Sequence, residues 1–347
     1  MPSFQHLLLK QFLTAAAAPL ARRNPSVGAM RLAMEAGSLF QFMPWHVHLE
    51  SLWLDKRLEA EWLRPRAAHP TRVLLYLHGG GYVLGSLNTH RSLVGSLAQR
   101  CGLNVLTINY RKAPDHPFPA ALDDAKRAYR WLLRQGHQPR NIVVAGDSAG
   151  GGLALALLLA LRDAGEAAPA AGVGLSPWTD LTLPIAALRR VAREEGLLLE
   201  ALQMRTWGPL YAHKTALTHP SLSPAQAELH GLPPLLIQVS TAEVLYDEVL
   251  RFVDKARAAG VATTLQPFEG LVHWWHLFWR VVPEARQALD QVADFLEQLW
   301  ASQGAPAAAL PGSARRPAPR RLGGGANAFQ QQWKSRREKK IFLFSRF

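Results

Sequence analysis

Gly146-Asp147-Ser148-Ala149-Gly150 places one serine between two glycines, after an apolar run (142–145) and before a helix-forming stretch (151–162). Strand, G-x-S-x-G and helix in that order describe a nucleophile held on a sharp turn. The turn strains the serine backbone and crowds the positions two residues away, so both must be glycine. The following helix points its positive end at the serine oxygen. The chemistry expected is acyl transfer through Ser148. The bare pattern is common by chance, and its weight comes from the strand and helix around it.

Acyl transfer needs donors aimed at a developing oxyanion. His78-Gly79-Gly80-Gly81-Tyr82 closes another apolar run, 73–77. Its glycines let the N–H groups of Gly80 and Gly81 converge without side chains in the way, and the N–H of Ala149 would be a third donor. A phosphate-binding loop would continue with Gly-Lys-Ser/Thr, which is absent. The base should be a histidine late in the chain. His273 and His276 both qualify: His273 falls in the loop after 263–267, His276 at the apolar start of a helix, and the loop position favours His273. The orienting acid should follow the preceding strand, 235–239. Glu243 lies at that strand's end and Asp247 one helical turn further; the nearer position favours Glu243.

Positioning these groups requires a sheet with its strand ends on one side. Runs at 73–77, 105–110, 142–145, 172–175, 235–239 and 263–267 alternate with helical stretches at 91–100, 120–134, 151–162, 244–259 and 283–299. That rhythm predicts an α/β domain with a mostly parallel sheet, preceded by an antiparallel hairpin over 47–63. Two helix-prone segments interrupt it, 1–45 and 184–230, and are read as cap segments. The catalytic domain is expected over 46–183 and 231–304. Phe40, Phe42, Trp45, Trp207 and Tyr211 read equally as the lining of a compact apolar acyl or aryl site and as core.

The net charge of +13 is a nucleic-acid signal only until it is located. Residues 305–347 hold ten Lys or Arg and one acid, Glu338. They read as a basic, disordered tail, either native or a frameshift scar, and without the aromatic interleaving or fold of a nucleic-acid module. The single cysteine, Cys101, excludes an internal disulfide and a cysteine metal cluster. No membrane span or clear signal peptide is read, so the expected compartment is the cytoplasm, with no cofactor and no metal.

Taken with Tyr110-Arg111-Lys112-Ala113-Pro114-Asp115-His116-Pro117, Ser176-Pro177-Trp178-Thr179-Asp180 and Val272-His273-Trp274-Trp275-His276, these motifs resemble the bacterial hormone-sensitive-lipase-like esterases of the α/β-hydrolase superfamily over about 62–299. The resemblance implies an α/β-hydrolase fold, with eight strands, mostly parallel, under a helical cap. It implies metal-free hydrolysis of short- to medium-chain esters, with Ser148 as nucleophile, His273 as base, Gly80, Gly81 and Ala149 as oxyanion donors, and Tyr82 lining the substrate pocket. The family commonly has aspartate in an Asp-Pro-Leu motif where this chain has Glu243-Val244-Leu245, and one branch uses glutamate. His116 would fix a turn, and dimers of the family form through the last strand, here 263–267. The expected ligand is a small ester.

Overall fold

In a computed structural model the described residues are 1–23, 25–182 and 198–304. Residues 24, 183–197 and 305–347, among them part of the second expected cap, lie outside them. Val73–Leu77 (β3), Ile142–Asp147 (β5), Ala171–Leu175 (β6) and Leu235–Ser240 (β7) are buried along their whole length. A strand covered on both faces needs apolar residues at every position, which is why these read as continuous runs. With Val47–Leu54 (β1), Leu58–Pro65 (β2), Asn104–Ile108 (β4) and Thr263–Phe268 (β8) they form one sheet in the order β1-β2-β4-β3-β5-β6-β7-β8. Strands β3 to β8 are parallel; β2 is antiparallel to both β1 and β4.

The two faces of the sheet carry separate cores, as the period-two alternation of side chains requires. Val73, Leu75 and Leu77 point to the face covered by Ala120–Arg134 (α4), Ala149–Asp163 (α5) and Tyr246–Ala258 (α7). Leu74 and Tyr76 point to the other, with Leu93 and Leu97 of Leu87–Cys101 (α3) and Leu289 and Val292 of Pro283–Gly304 (α8). Helix α5 is apolar all round and buried at almost every position, as suits the element directly behind Ser148. Met1–Ser302 form one compact unit.

Phe4–Arg23 (α1), Val27–Ser38 (α2) and Leu198–Ala212 (α6) are the helices that fall in the two segments read as a cap. Helix α2 is bolted down by Arg31, which donates to the carbonyls of Val83 (2.9 Å) and Ala113 (2.7 Å) and pairs with Asp115. The second cap segment differs from expectation: beyond α6, residues 213–230 hold turns and a single 3-10 turn, Pro224–Gln226. Pro220 and Pro224 interrupt the backbone donors a longer helix would need, and Leu222 and Leu229 are buried in the main core instead. Among the five aromatic cap residues, Trp207 and Tyr211 are buried, whereas Phe40, Phe42 and Trp45 face outward, neither core nor site.

Glu248, on the first turn of α7, is buried and ties the loop after β6. Its Oε1 accepts the N–H groups of Thr179 (2.9 Å) and Asp180 (3.2 Å). Burial, reinforced by the charge of Asp180, raises its pKa to about 8 against the donated hydrogen bonds. Unfolded, the group ionises near about 4.3, so folding takes up a proton between the two values and stability falls as pH rises through that window. Glu248→Gln should remove this slope. Denaturant melts from pH 5 to 8 should show the variant gaining on the wild type by up to about 1.4 kcal/mol per pH unit; parallel curves would refute the buried neutral acid.

Candidate active site

Strands β3 and β5 are neighbours, but the chain leaves β3 toward β4 on one side and later returns through β5 to β6 on the other. Such a reversal opens a crevice at the carboxyl ends of the strands. His78–Tyr82 leaves β3 at that end, and Ser148 leaves β5.

Ser148 has φ 51° and ψ −121°, a conformation L residues avoid. Three backbone hydrogen bonds hold it. Its N–H donates to Leu175 (2.9 Å), and its carbonyl accepts from Gly152 (3.0 Å) and Trp178 (2.8 Å). A Cβ on Gly146 would overlap the backbone of Gly150 and Leu77, and one on Gly150 the carbonyls of Leu77 and His78. Steric crowding thus accounts for both glycines of the motif.

His273 follows β8 and reaches Ser148 Oγ with Nε2 at 2.8 Å. Its Nδ1 meets Glu243 Oε2 at 2.6 Å. A carboxylate only accepts, so Nδ1 carries the proton and Nε2 presents its lone pair to the serine hydroxyl. Glu243 is fixed by the other oxygen: Oε1 accepts the Ser176 hydroxyl (2.7 Å), the Ser240 N–H (2.9 Å) and the Trp275 indole N–H (3.3 Å). All three site residues are at most 5% exposed. Of the two acids weighed, the carboxylate on His273 is Glu243; Asp247 lies on the first turn of α7. Of the two histidines, His276 stacks on Trp275 and donates to Gln238 Oε1 (3.1 Å), and burial pushes its pKa down to about 3.

The glycine loop leaves buried backbone donors without a backbone acceptor. Gly80 and Gly81 have φ of 118° and 63°, which glycine adopts freely. No backbone hydrogen bond among the described residues takes the N–H of Gly80, Gly81 or Ala149 as donor. The Trp207 ring lies against Gly81, where a Cβ would overlap it. Tyr82 turns into an aromatic stack, face to face with Tyr211 at 3.9 Å and tilted against Trp178 at 6.1 Å. His116 is exposed and its N–H closes a turn on the Lys112 carbonyl (2.9 Å).

Three parts of the site escape sequence reasoning. Asp147, the variable position of the motif, accepts the Tyr76 hydroxyl (2.7 Å) and the Gly79 N–H (2.9 Å) with Oδ1, and faces His90 with Oδ2 at 3.3 Å. Burial pushes its pKa up, but His90 and Tyr76 outweigh that and hold it at about 2. The carboxylate therefore ties the glycine loop to the strand that ends at Ser148. Ser176, in the loop after β6, supports Glu243. His6 of α1 accepts the N–H of Val272, the residue before His273, at 3.0 Å. A partner 266 residues away leaves no local signal; Asp147 was legible only by asking what the x in G-x-S-x-G contacts. No group of three or more His, Cys, Asp or Glu among the described residues could hold a metal ion.

A profile described as alpha/beta hydrolase fold matches residues 74–277. The chain belongs to this family. An acetyl-hydrolase of Streptomyces hygroscopicus is 47% identical over 238 residues, covering 68% of this chain and 79% of its own. The crystal structure of an esterase from the bacterial hormone-sensitive lipase family superposes with a TM-score of 0.80 at 36% identity, covering 86% of this chain and 99% of that one. The esterase EstE5, in crystals soaked with p-nitrophenyl butyrate, gives a TM-score of 0.79 at 38% identity, with the same coverage.

Burial pushes the His6 pKa down, so near neutrality its Nε2 is an acceptor. His6→Phe should leave the buried Val272 N–H unpaired and cost about 1–3 kcal/mol. Turnover should fall several-fold, because the unpaired bond adjoins His273. An unchanged thermal transition together with unchanged turnover would show that α1 does not support this loop.

Proposed function

We propose that the protein is a serine carboxylesterase that hydrolyses short- to medium-chain acyl or aryl esters through an acyl-enzyme on Ser148. The observation that carries this reading is the continuous line from Ser148 Oγ through His273 to the buried Glu243. Relatives named esterase and acetyl-hydrolase support the coarser statement: the chain is a carboxylic ester hydrolase. Trp207 and Tyr211 packed on the glycine loop favour a compact acyl group.

As the Ser148 oxygen attacks the ester carbonyl, His273 Nε2 takes the hydroxyl proton. The new C–O bond moves an electron pair onto the carbonyl oxygen, where the N–H groups of Gly80, Gly81 and Ala149 would receive it. Collapse breaks the bond to the alcohol, which leaves with the proton from His273. Water then attacks the acyl-enzyme, giving its proton to the same nitrogen, and the acid departs as Ser148 is reprotonated. Glu243 holds the ring in the tautomer that can accept and steadies the imidazolium.

Hydrolysis of p-nitrophenyl esters from acetate to palmitate tests the whole reading. Activity should be highest on the short esters. Ser148→Ala should lower the rate by about four orders of magnitude or more, and Glu243→Gln by roughly two to four. Asp247→Asn should stay within about twofold of wild type, because the carboxylate on His273 Nδ1 is Glu243. A folded wild type inactive on every ester would overturn the proposal. Activity surviving Glu243→Gln but not Asp247→Asn would move the orienting role to Asp247.

A further inference from the structure

Asp147 meets both ends of the glycine loop. At the near end its Oδ1 accepts the N–H of Gly79 at 2.9 Å. A Cβ on Gly79 would overlap Oδ2, so only glycine brings the backbone this close. At the far end stands His90, on the first turn of α3, with Nε2 at 3.3 Å from Oδ2. A carboxylate only accepts, so Nε2 is the donor. Gly80 and Gly81, the proposed oxyanion donors of the loop, lie between these two attachments, and Ser148 is the next residue after Asp147.

The span between the attachments is held to one shape. The N–H groups of Val83 (3.1 Å) and Leu84 (2.7 Å) both donate to the Gly80 carbonyl. Ser86 caps α3 by accepting the Thr89 N–H, and Thr89 Oγ1 accepts the Ser86 N–H at 2.8 Å in return. That threonine oxygen also meets His90 Nδ1 at 2.8 Å, so the cap of the helix sets the plane of the ring. Thr89 and His90 are both buried.

His90 takes no part in the line from Ser148 through His273 to Glu243. A buried carboxylate and its donor largely offset their own desolvation, so net stability is weak grounds for the pair. What the pair does define is distance. The Tyr76 hydroxyl (2.7 Å) and the Gly79 N–H hold one oxygen of Asp147, and His90 holds the other. With all three in place the carboxylate has a single orientation, and the start of the loop is fixed relative to Ser148.

We propose that His90 is a positioning residue for ester hydrolysis: acting through Asp147, it holds the N–H groups of Gly80 and Gly81 at a fixed distance from Ser148. The inference rests on the serine-esterase reading above. Oxyanion donors act only where the charge develops, and a misplacement of about 1 Å can lower a rate on the order of a hundredfold. The donors matter in the transition state and far less in binding the ester, so the effect belongs in kcat rather than KM.

The test compares His90→Gln with His90→Asn in the full chain. The two amides differ by one methylene: the longer reaches toward Asp147 Oδ2, and the shorter stops near the place of Nδ1. Hydrolysis of p-nitrophenyl acetate is measured below the thermal transition of each protein. His90→Asn should lower kcat about tenfold to a hundredfold with KM within about twofold, and His90→Gln should recover most of that loss. Affinity for a trifluoromethyl ketone, whose carbonyl oxygen becomes an anion once Ser148 adds to it, should fall in step with kcat. Should His90→Asn not fold, Thr89→Val, which removes the oxygen on Nδ1, should show the same split. Equal kcat in the two amide variants, or a change confined to KM or to the thermal transition, would overturn the inference and leave the esterase reading intact. A folded wild type that hydrolyses no ester would overturn both.

Discussion

Everything at the site hangs on the left-handed backbone of Ser148. A residue at φ 51° and ψ −121° persists only where its surroundings over-determine it. Here β6 receives its N–H, the start of α5 and the loop after β6 donate to its carbonyl, and two glycines remove the side chains that would collide. The strain is of order 1–3 kcal/mol. It holds the hydroxyl at the strand end, within reach of His273, instead of letting it relax along β5.

Around that turn the fold supplies rigid supports rather than additional chemistry. Asp147, kept ionised deep in the interior, fixes the first amide of the glycine loop relative to the strand that carries the serine. Two elements, β6 with its loop and β7 with its loop, converge on Glu243 through Ser176 and Ser240. Buried carboxylates of this kind are stable only when their lone pairs are satisfied. Glu243 meets that condition with three donors on one oxygen and His273 on the other. Glu248 does not: one of its oxygens has no partner, and its raised pKa follows.

The central sheet was legible in the sequence because fully buried strands write themselves as unbroken apolar runs. β3 matched its expected limits, and β5 to β7 began or ended within a residue or two of theirs; so did β8, although it is an edge strand buried only at Phe268. Ser148, His273 and Glu243 could be singled out because each sits at a strand end, and the structure brings these three together. The cap was harder. Its aromatic residues carry no period that separates core, site and surface, so Trp207 and Tyr211 could not be told from Phe40 and Trp45. Contacts between distant parts of the chain, such as His6 with Val272 and Ser176 with Glu243, have no sequence signature at all. The basic tail accounts for most of the net charge by composition alone.

The most direct measurement is covalent titration of Ser148 with diethyl p-nitrophenyl phosphate, read by intact mass and peptide mapping. Attack by the serine oxygen forms one O–P bond and expels p-nitrophenolate. The account predicts a single diethylphosphoryl group per chain on Ser148, a matching release of p-nitrophenolate, and no adduct in Ser148→Ala. An adduct at another residue, or none on the folded wild type, would contradict it.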